Sequence, residues 1–319
     1  MIYIDTEPYH KKKNHFGNMT TVEELYFERI LARYNDPSNL AELKRFIKKY
    51  IPDGIDGSWD EEAFFKHLIL LPPEELAKFA IENDCKTPHQ PNAIDELKKV
   101  YTDYNILSKS IVFGKSEINI NQFLVRELGV TVCPYCNRNY INNRGNKFSA
   151  QMDHFYSKDE FPWLAVSLYN LIPSCGACNH IKGTKDFNVH PFIKSDVEKN
   201  EVKFSYQQTT SNDIKVIIST TDERKGDIGT IKLEEAYSIH NLDVRNMLLR
   251  EEKYSKKYRE ELRQLLQTDG GIESQLSLTD DEIDRMIYGD VIFEEDIKNV
   301  SLGKFRKDIY QEIKKFRDY

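Results

Sequence analysis

Apolar residues in the first 130 positions recur three and four apart, the spacing that gives a helix one buried stripe. The runs are bounded by residues suited to helix ends. Thr21 with Glu24 forms a capping-box pattern ahead of LYFERILARY, and Asn39 is placed to cap LAELKRFIKKY. Ser58 with Glu61 forms a second box ahead of AFFKHLILL. Pro72-Pro73 then closes that helix and opens EELAKFAIEND. Further helices are predicted across 93–107 and 119–128, the last ending at Gly129.

The period changes further on. Phe148, Ala150 and Met152 alternate with Ser149, Gln151 and Asp153, which predicts a strand over 147–153. Asn143-Arg144-Gly145-Asn146 is the turn before it. Val202, Phe204 and Tyr206 also alternate with polar residues, and Val216 and Ile218 follow a polar stretch, so a β-hairpin is predicted there. A long helix follows from Asn241 to Gln267, with Met247, Tyr254, Tyr258, Leu262 and Leu265 on one stripe, ended by Gly270-Gly271. Shorter helices are predicted over 279–288 and 302–317. The chain thus divides into a helical region 1–130, a central segment 131–194, and a mixed hairpin and helical region 195–319.

Composition narrows the class. With 319 residues, 39% hydrophobic and 12% aromatic, the chain has material for a sizeable core and is not wholly disordered. No stretch approaches the ~18 apolar residues that span a bilayer. The first fifteen residues lack the apolar segment of a secretory signal, so a soluble cytoplasmic protein without a membrane partner is expected. The net charge of -7 excludes one large nucleic-acid-binding surface. Residues 131–194, however, carry seven Lys/Arg against four Asp/Glu between two acidic flanks, which suits a polyanion site held in a larger body.

Four of the five cysteines form two C-x-x-C pairs, Cys133-Pro-Tyr-Cys136 and Cys175-Gly-Ala-Cys178. Such a pair lets two thiolates face one metal, and four complete the tetrahedral shell of a structural zinc ion. A redox pair or a merely packed set is the alternative. The segment between the pairs exceeds a common zinc-ribbon spacer and houses Asp153-His154 at the end of the predicted strand. That dipeptide sets a hard oxygen donor beside an imidazole. Asn170 and Asn179 follow, and a helix from Cys175 would carry Asn179 and Lys182 on one face.

In that order, Cys-x-x-Cys, Asp-His, Asn-Leu and Cys-x-x-Cys-Asn-x-x-Lys resemble the HNH nuclease family in its zinc-stapled form, over roughly residues 131–190. The wording of the segment (CPYCNRNYI, DHFYSK, FPWLAVSLYNLIPSC, CNHIKG) is more particularly similar to the HNH proteins of the Septu PtuB type. Those are paired with an ATPase in bacterial anti-phage systems. The resemblance implies an α+β, mostly α chain with a central ββα-metal (His-Me finger) module, a structural zinc held by the four cysteines, and helical flanks. It implies a metal-dependent endonuclease that hydrolyses DNA, with RNA also open, and an ATPase partner.

It also implies roles. His154 would be the general base, and Asn170 would pin the loop that orients it. Asp153 and Asn179 would bind catalytic Mg2+ or Mn2+, and Lys182 would meet a phosphate oxygen. Asn179 stands where many members carry His, and neighbouring His180 is the alternative ligand. His190 could reach the metal or simply pack its loop; Arg138 and Lys158 could touch phosphate or lie on solvated surface. The aromatic loop of Phe155, Tyr156, Phe161, Trp163 and Tyr169 could stack on bases or fill a core. The competing class is a zinc-stapled module that binds nucleic acid or protein and cuts nothing.

Overall fold

The computed structural model describes residues 2–317 apart from 13–18, 48–58, 83–91, 103–104, 114–115, 145–146, 211–212, 269–278 and 294–296. The chain forms two compact units, Met1–Asn200 and Glu201–Tyr319. It is α+β and mostly helical, and the described strands form two-stranded antiparallel sheets.

In the first unit, Thr21 caps the helix Val22–Tyr34 through the reciprocal box. Its hydroxyl accepts from the Glu24 N–H at 3.1 Å, and the Glu24 carboxylate accepts from the Thr21 N–H at 2.9 Å. The next helix, Pro37–Ile47, starts ahead of Asn39 because Asp36 accepts from the Ser38 N–H at 2.8 Å. Ser58 lies outside the described residues; Asp60 caps Glu61–Ile69 by accepting from the Ala63 N–H at 2.7 Å. The helix predicted over 93–107 runs Asn92–Thr102, and that over 119–128 runs Ile120–Leu128. Gly129 ends the latter at φ +61°, a conformation that glycine adopts without a Cβ penalty. A hairpin of Ser110–Phe113 with Ser116–Asn119 precedes it. Each arm has four residues, too few to print a legible alternation.

These helices seat the central segment. The Tyr26 hydroxyl donates to the Val166 carbonyl at 2.8 Å, and the Ser167 hydroxyl donates to the Leu68 carbonyl at 2.9 Å. The Phe46 and Trp163 rings meet at 6.0 Å between centroids. Phe155, Tyr156, Phe161, Trp163 and Tyr169 are all buried, so the aromatic loop is core and has no open faces for bases. A short strand-strand-helix element cannot bury enough apolar surface alone, and the flanking helices supply the rest.

The second unit opens with the hairpin Lys203–Thr210 and Asp213–Ser219, longer than its alternation predicted. The helix predicted from 241 to 267 is two helices, Asn241–Lys253 and Lys256–Thr268. Arg259 accounts for the break. Its Nε donates to the Tyr254 carbonyl at 2.7 Å, and its guanidinium reaches Asp284 at 2.6 Å and Glu251 at 3.2 Å. Arg317 joins the same two carboxylates, each at 2.7 Å, and the Tyr310 hydroxyl donates to Asp284 at 2.6 Å. The helices Asp280–Tyr288 and Gly303–Lys314 bring Asp284 and Tyr310 into this cluster. Gly270-Gly271 lies outside the described residues.

Asp284 is fully buried, so its charge depends on these partners. Burial pushes its carboxyl up, but the hydrogen bonds from Arg317, Tyr310 and Arg259 outweigh that and hold it below its ordinary value. A lowered folded value stabilises the fold above the unfolded carboxylate range of about 4, and that stability is lost as pH falls through the folded value. Asp284→Ala is expected to cost about 3 kcal/mol in denaturant unfolding at neutral pH, because it removes the buried carboxylate that Arg259 and Arg317 share and leaves both with Glu251 as their carboxylate. Asp284→Asn should flatten the acid limb of the stability curve; an unchanged limb would show that other carboxylates govern it.

Candidate functional site

The first cysteine pair sits on a tight knuckle. The Cys133 N–H donates to the Asn139 carbonyl at 2.9 Å, the Asn137 N–H to the Cys133 carbonyl at 2.8 Å, and the Ile141 N–H to the Thr131 carbonyl at 2.8 Å. Asn137 turns the chain at φ +50°, a left-handed conformation that asparagine tolerates. The second pair begins the helix Gly176–Lys182. All four sulfurs are buried and lie within 4.8 Å of one another. Cys136 and Cys175 are 4.0 Å apart. Sulfurs at about 2.3 Å from a central zinc would be separated by about 3.8 Å, so the cluster has the right size.

Amide hydrogens also point at the sulfurs, as they do where thiolate charge must be spread. The Cys175 N–H donates to Cys133 Sγ at 3.3 Å, the Arg138 N–H to Cys136 Sγ at 3.4 Å, and the Asn139 side-chain amide to Cys175 Sγ at 3.2 Å. Burial pushes the Cys133 thiol up, while the Cys133 sulfur holds Cys136 and Cys175 down. The neighbouring sulfurs push Cys178 up as well, and four cysteines gathered this closely could bind a structural metal such as zinc.

The strand Gln151–His154 pairs antiparallel with Leu171–Ser174, Asp153 opposite Ile172 and His154 opposite Leu171. The strand predicted over 147–153 is therefore shorter and shifted, because its partner lies after the aromatic loop and not before it. The helix Gly176–Lys182 follows directly, giving strand, strand, helix in sequence. Residues two apart on the strand share a face. On that face the Asn179 amide donates to Gln151 Oε1 at 2.8 Å, and Lys182 Nζ meets Asp153.

Asp153 is 2% exposed, with two partners. Lys182 Nζ lies 3.3 Å from Oδ1 and 3.2 Å from Oδ2, and the Tyr135 hydroxyl donates to Oδ2 at 2.6 Å. Burial pushes the carboxyl up; Lys182 and Tyr135 pull it back only in part. Lys182 is 1% exposed and also donates to the His154 carbonyl at 2.8 Å. Its ammonium is thus turned inward as the counter-charge of Asp153, whereas the family resemblance implied a phosphate contact.

His154 lies on the other face of the strand. Its Nε2 is 2.9 Å from the Ala165 carbonyl. A carbonyl only accepts, so Nε2 carries the proton and the lone pair is on Nδ1. Burial pushes the imidazole down to about 4, against the smaller opposing pull of the Ala165 carbonyl. The ring is therefore a neutral base at physiological pH. Asn170 is fully buried and clips the intervening loop. Its Oδ1 accepts from the Tyr156 N–H at 2.8 Å, and its Nδ2 donates to the Tyr156 and Leu164 carbonyls, each at 3.0 Å. Leu164 precedes Ala165, so this clip fixes the carbonyl that orients His154.

The sequence-predicted residues are thus brought together as Asp153 with Lys182, His154 with the Asn170 loop, and the four cysteines. Asn179 faces Gln151 and shares no described contact with Asp153. His180 is exposed. His190 is buried against Phe155 at 4.2 Å, which pushes its imidazole down to about 3; it packs its loop. Two residues were missed. Tyr135, inside the first C-x-x-C, reads as a spacer, and nothing in its spacing points to Asp153. Tyr101 comes from the helix Asn92–Thr102, far from any motif, and its ring stands edge-on to His154 at 4.4 Å.

Over 124 residues the chain is 31% identical to the Septu protein PtuB of Bacillus thuringiensis. That stretch covers 38% of the chain and 46% of PtuB, so the chain spans about half the length of the curated relative it matches. This partial match supports a Septu-like relation. No protein-family model and no solved structure matches the chain. Among the described residues, no helix is long and apolar enough to cross a membrane.

The parent chain is expected to purify with one zinc, and Cys136→Ser to lose it and to melt at a sharply lower temperature, since structural metal binding is folding free energy. Elemental analysis alongside thermal unfolding checks this; a metal-free parent of unchanged stability would contradict it. Lys182→Met should destabilise by about 3–5 kcal/mol by leaving Asp153 buried and unpaired. A solvent-facing phosphate contact would instead leave the unfolding midpoint where it is.

Proposed function

We propose that this chain is an HNH endonuclease that hydrolyses DNA phosphodiester bonds and serves as an effector of anti-phage defence beside an ATPase partner. The observation that carries this reading is the geometry of His154: an imidazole at a strand end whose Nε2–H is held by the Ala165 carbonyl, which leaves the Nδ1 lone pair to take a proton. That is the form a general base needs to take a proton from an attacking water. The thiolate cluster supports it by tying the knuckle to the helix that faces the same strand. The relation to the Septu protein PtuB supports the defence role and work beside a partner protein.

The zinc fits its four ligands. The catalytic Mg2+ or Mn2+ does not fit the arrangement as it stands, because Lys182 and Tyr135 engage Asp153 and the Asn179 amide donates to Gln151. What these residues do by themselves is hold a base: Asn170 fixes the loop, the Ala165 carbonyl sets the tautomer, and burial keeps the imidazole neutral. The engaged Asp153 favours a second reading, a zinc-stapled module that binds without cutting.

Purified protein with supercoiled plasmid and Mg2+ or Mn2+ separates the two. The parent should nick and linearise the plasmid, and His154→Ala should be slower by about 100-fold or more. Equal cutting by both proteins would overturn His154 as the base, and no cutting by the parent with its ATPase present would favour the binding module.

A further inference from the structure

The N-terminal helix Asn92–Thr102 reaches the base itself. The Tyr101 ring stands edge-on to the His154 imidazole, 4.4 Å between centroids at an interplanar angle of 72°. Edge-to-face pairs at this separation are attractive and directional, so such a ring resists rotation of its neighbour. Two further contacts keep the helix over the loop that follows His154. Lys98, one turn earlier, pairs with Asp159 at 2.8 Å, and Lys158 Nζ lies over the Tyr101 ring at 5.9 Å.

A strand-end histidine has one backbone hydrogen bond to orient it, from Nε2 to Ala165. One bond fixes a direction and leaves the ring plane free to turn about it. The Tyr101 edge removes that freedom. We infer that Tyr101 is a positioning residue for His154, supplied to the central segment by the helical N-terminal region. This rests on the nuclease reading only for its consequence in turnover; the orientation claim stands on the contact alone.

The test uses the full chain, ring-15N-labelled at histidine. Proton–nitrogen correlation spectra report which ring nitrogen carries the proton, and His154→Ala assigns the signals. The parent and Tyr101→Phe should share one sharp Nε2–H form. Tyr101→Leu, which fills space without an aromatic ring, should shift and broaden the Nε2–H signal as the imidazole turns about its bond to the Ala165 carbonyl, while zinc content and melting temperature stay near the parent. On plasmid DNA its kcat should fall about 10- to 100-fold with KM little changed, and Tyr101→Phe should retain activity. An unaltered Nε2–H signal in Tyr101→Leu would overturn the inference. A parent that cuts nothing would sink the nuclease reading instead, and the spectra would still decide this one.

Discussion

Four sulfurs converging inside one small volume are the constraint on which the central segment depends. Cys133 and Cys136 lie on a knuckle; Cys175 and Cys178 lie 39 or more residues away at the start of a seven-residue helix. A helix that short has no stability of its own. Its position comes from the sulfur cluster at one end and from Lys182 against Asp153 at the other. With both ends held, the strand Gln151–His154 has a fixed face toward the helix and a fixed face away from it.

Those two faces divide the chemistry. The helix-facing side pairs charge with charge: Asp153 with Lys182 and the Tyr135 hydroxyl. Removing one partner of such a buried pair costs far more than the pair contributes net, so it specifies an arrangement more than it stabilises one. The opposite side is neutral. There His154 lies between the Ala165 carbonyl and the Tyr101 ring, in surroundings apolar enough to keep its proton count at one. Asn170 connects the two, because its amide holds both the start and the end of the loop that separates the paired strands.

Much of this was legible in the residues. Paired cysteines show themselves by spacing, and Asp153-His154, Asn170 and Lys182 by their order between and after them. Helix starts were legible where the cap lies within the local sequence, as at Thr21 with Glu24. The strand was misplaced because alternation in 147–153 is a local signal, while the true partner, Leu171–Ser174, lies across a loop of aromatic residues. The break at Tyr254 and Ser255 was hidden because Arg259 enforces it through Asp284 and Arg317, side chains distant in sequence. The resemblance implied a phosphate contact for Lys182, and spacing, which gives a helix face, says nothing of which way that face looks. Tyr101 carried no signal, since its meaning comes only from the neighbour that folding gives it.

X-ray absorption at the zinc edge of the purified chain tests directly whether the four cysteines hold a zinc ion. Four sulfur neighbours at about 2.3 Å, with no lighter atoms in the shell, is the predicted result. A shell of nitrogen and oxygen, or a chain that folds with these cysteines bearing no metal, would contradict it.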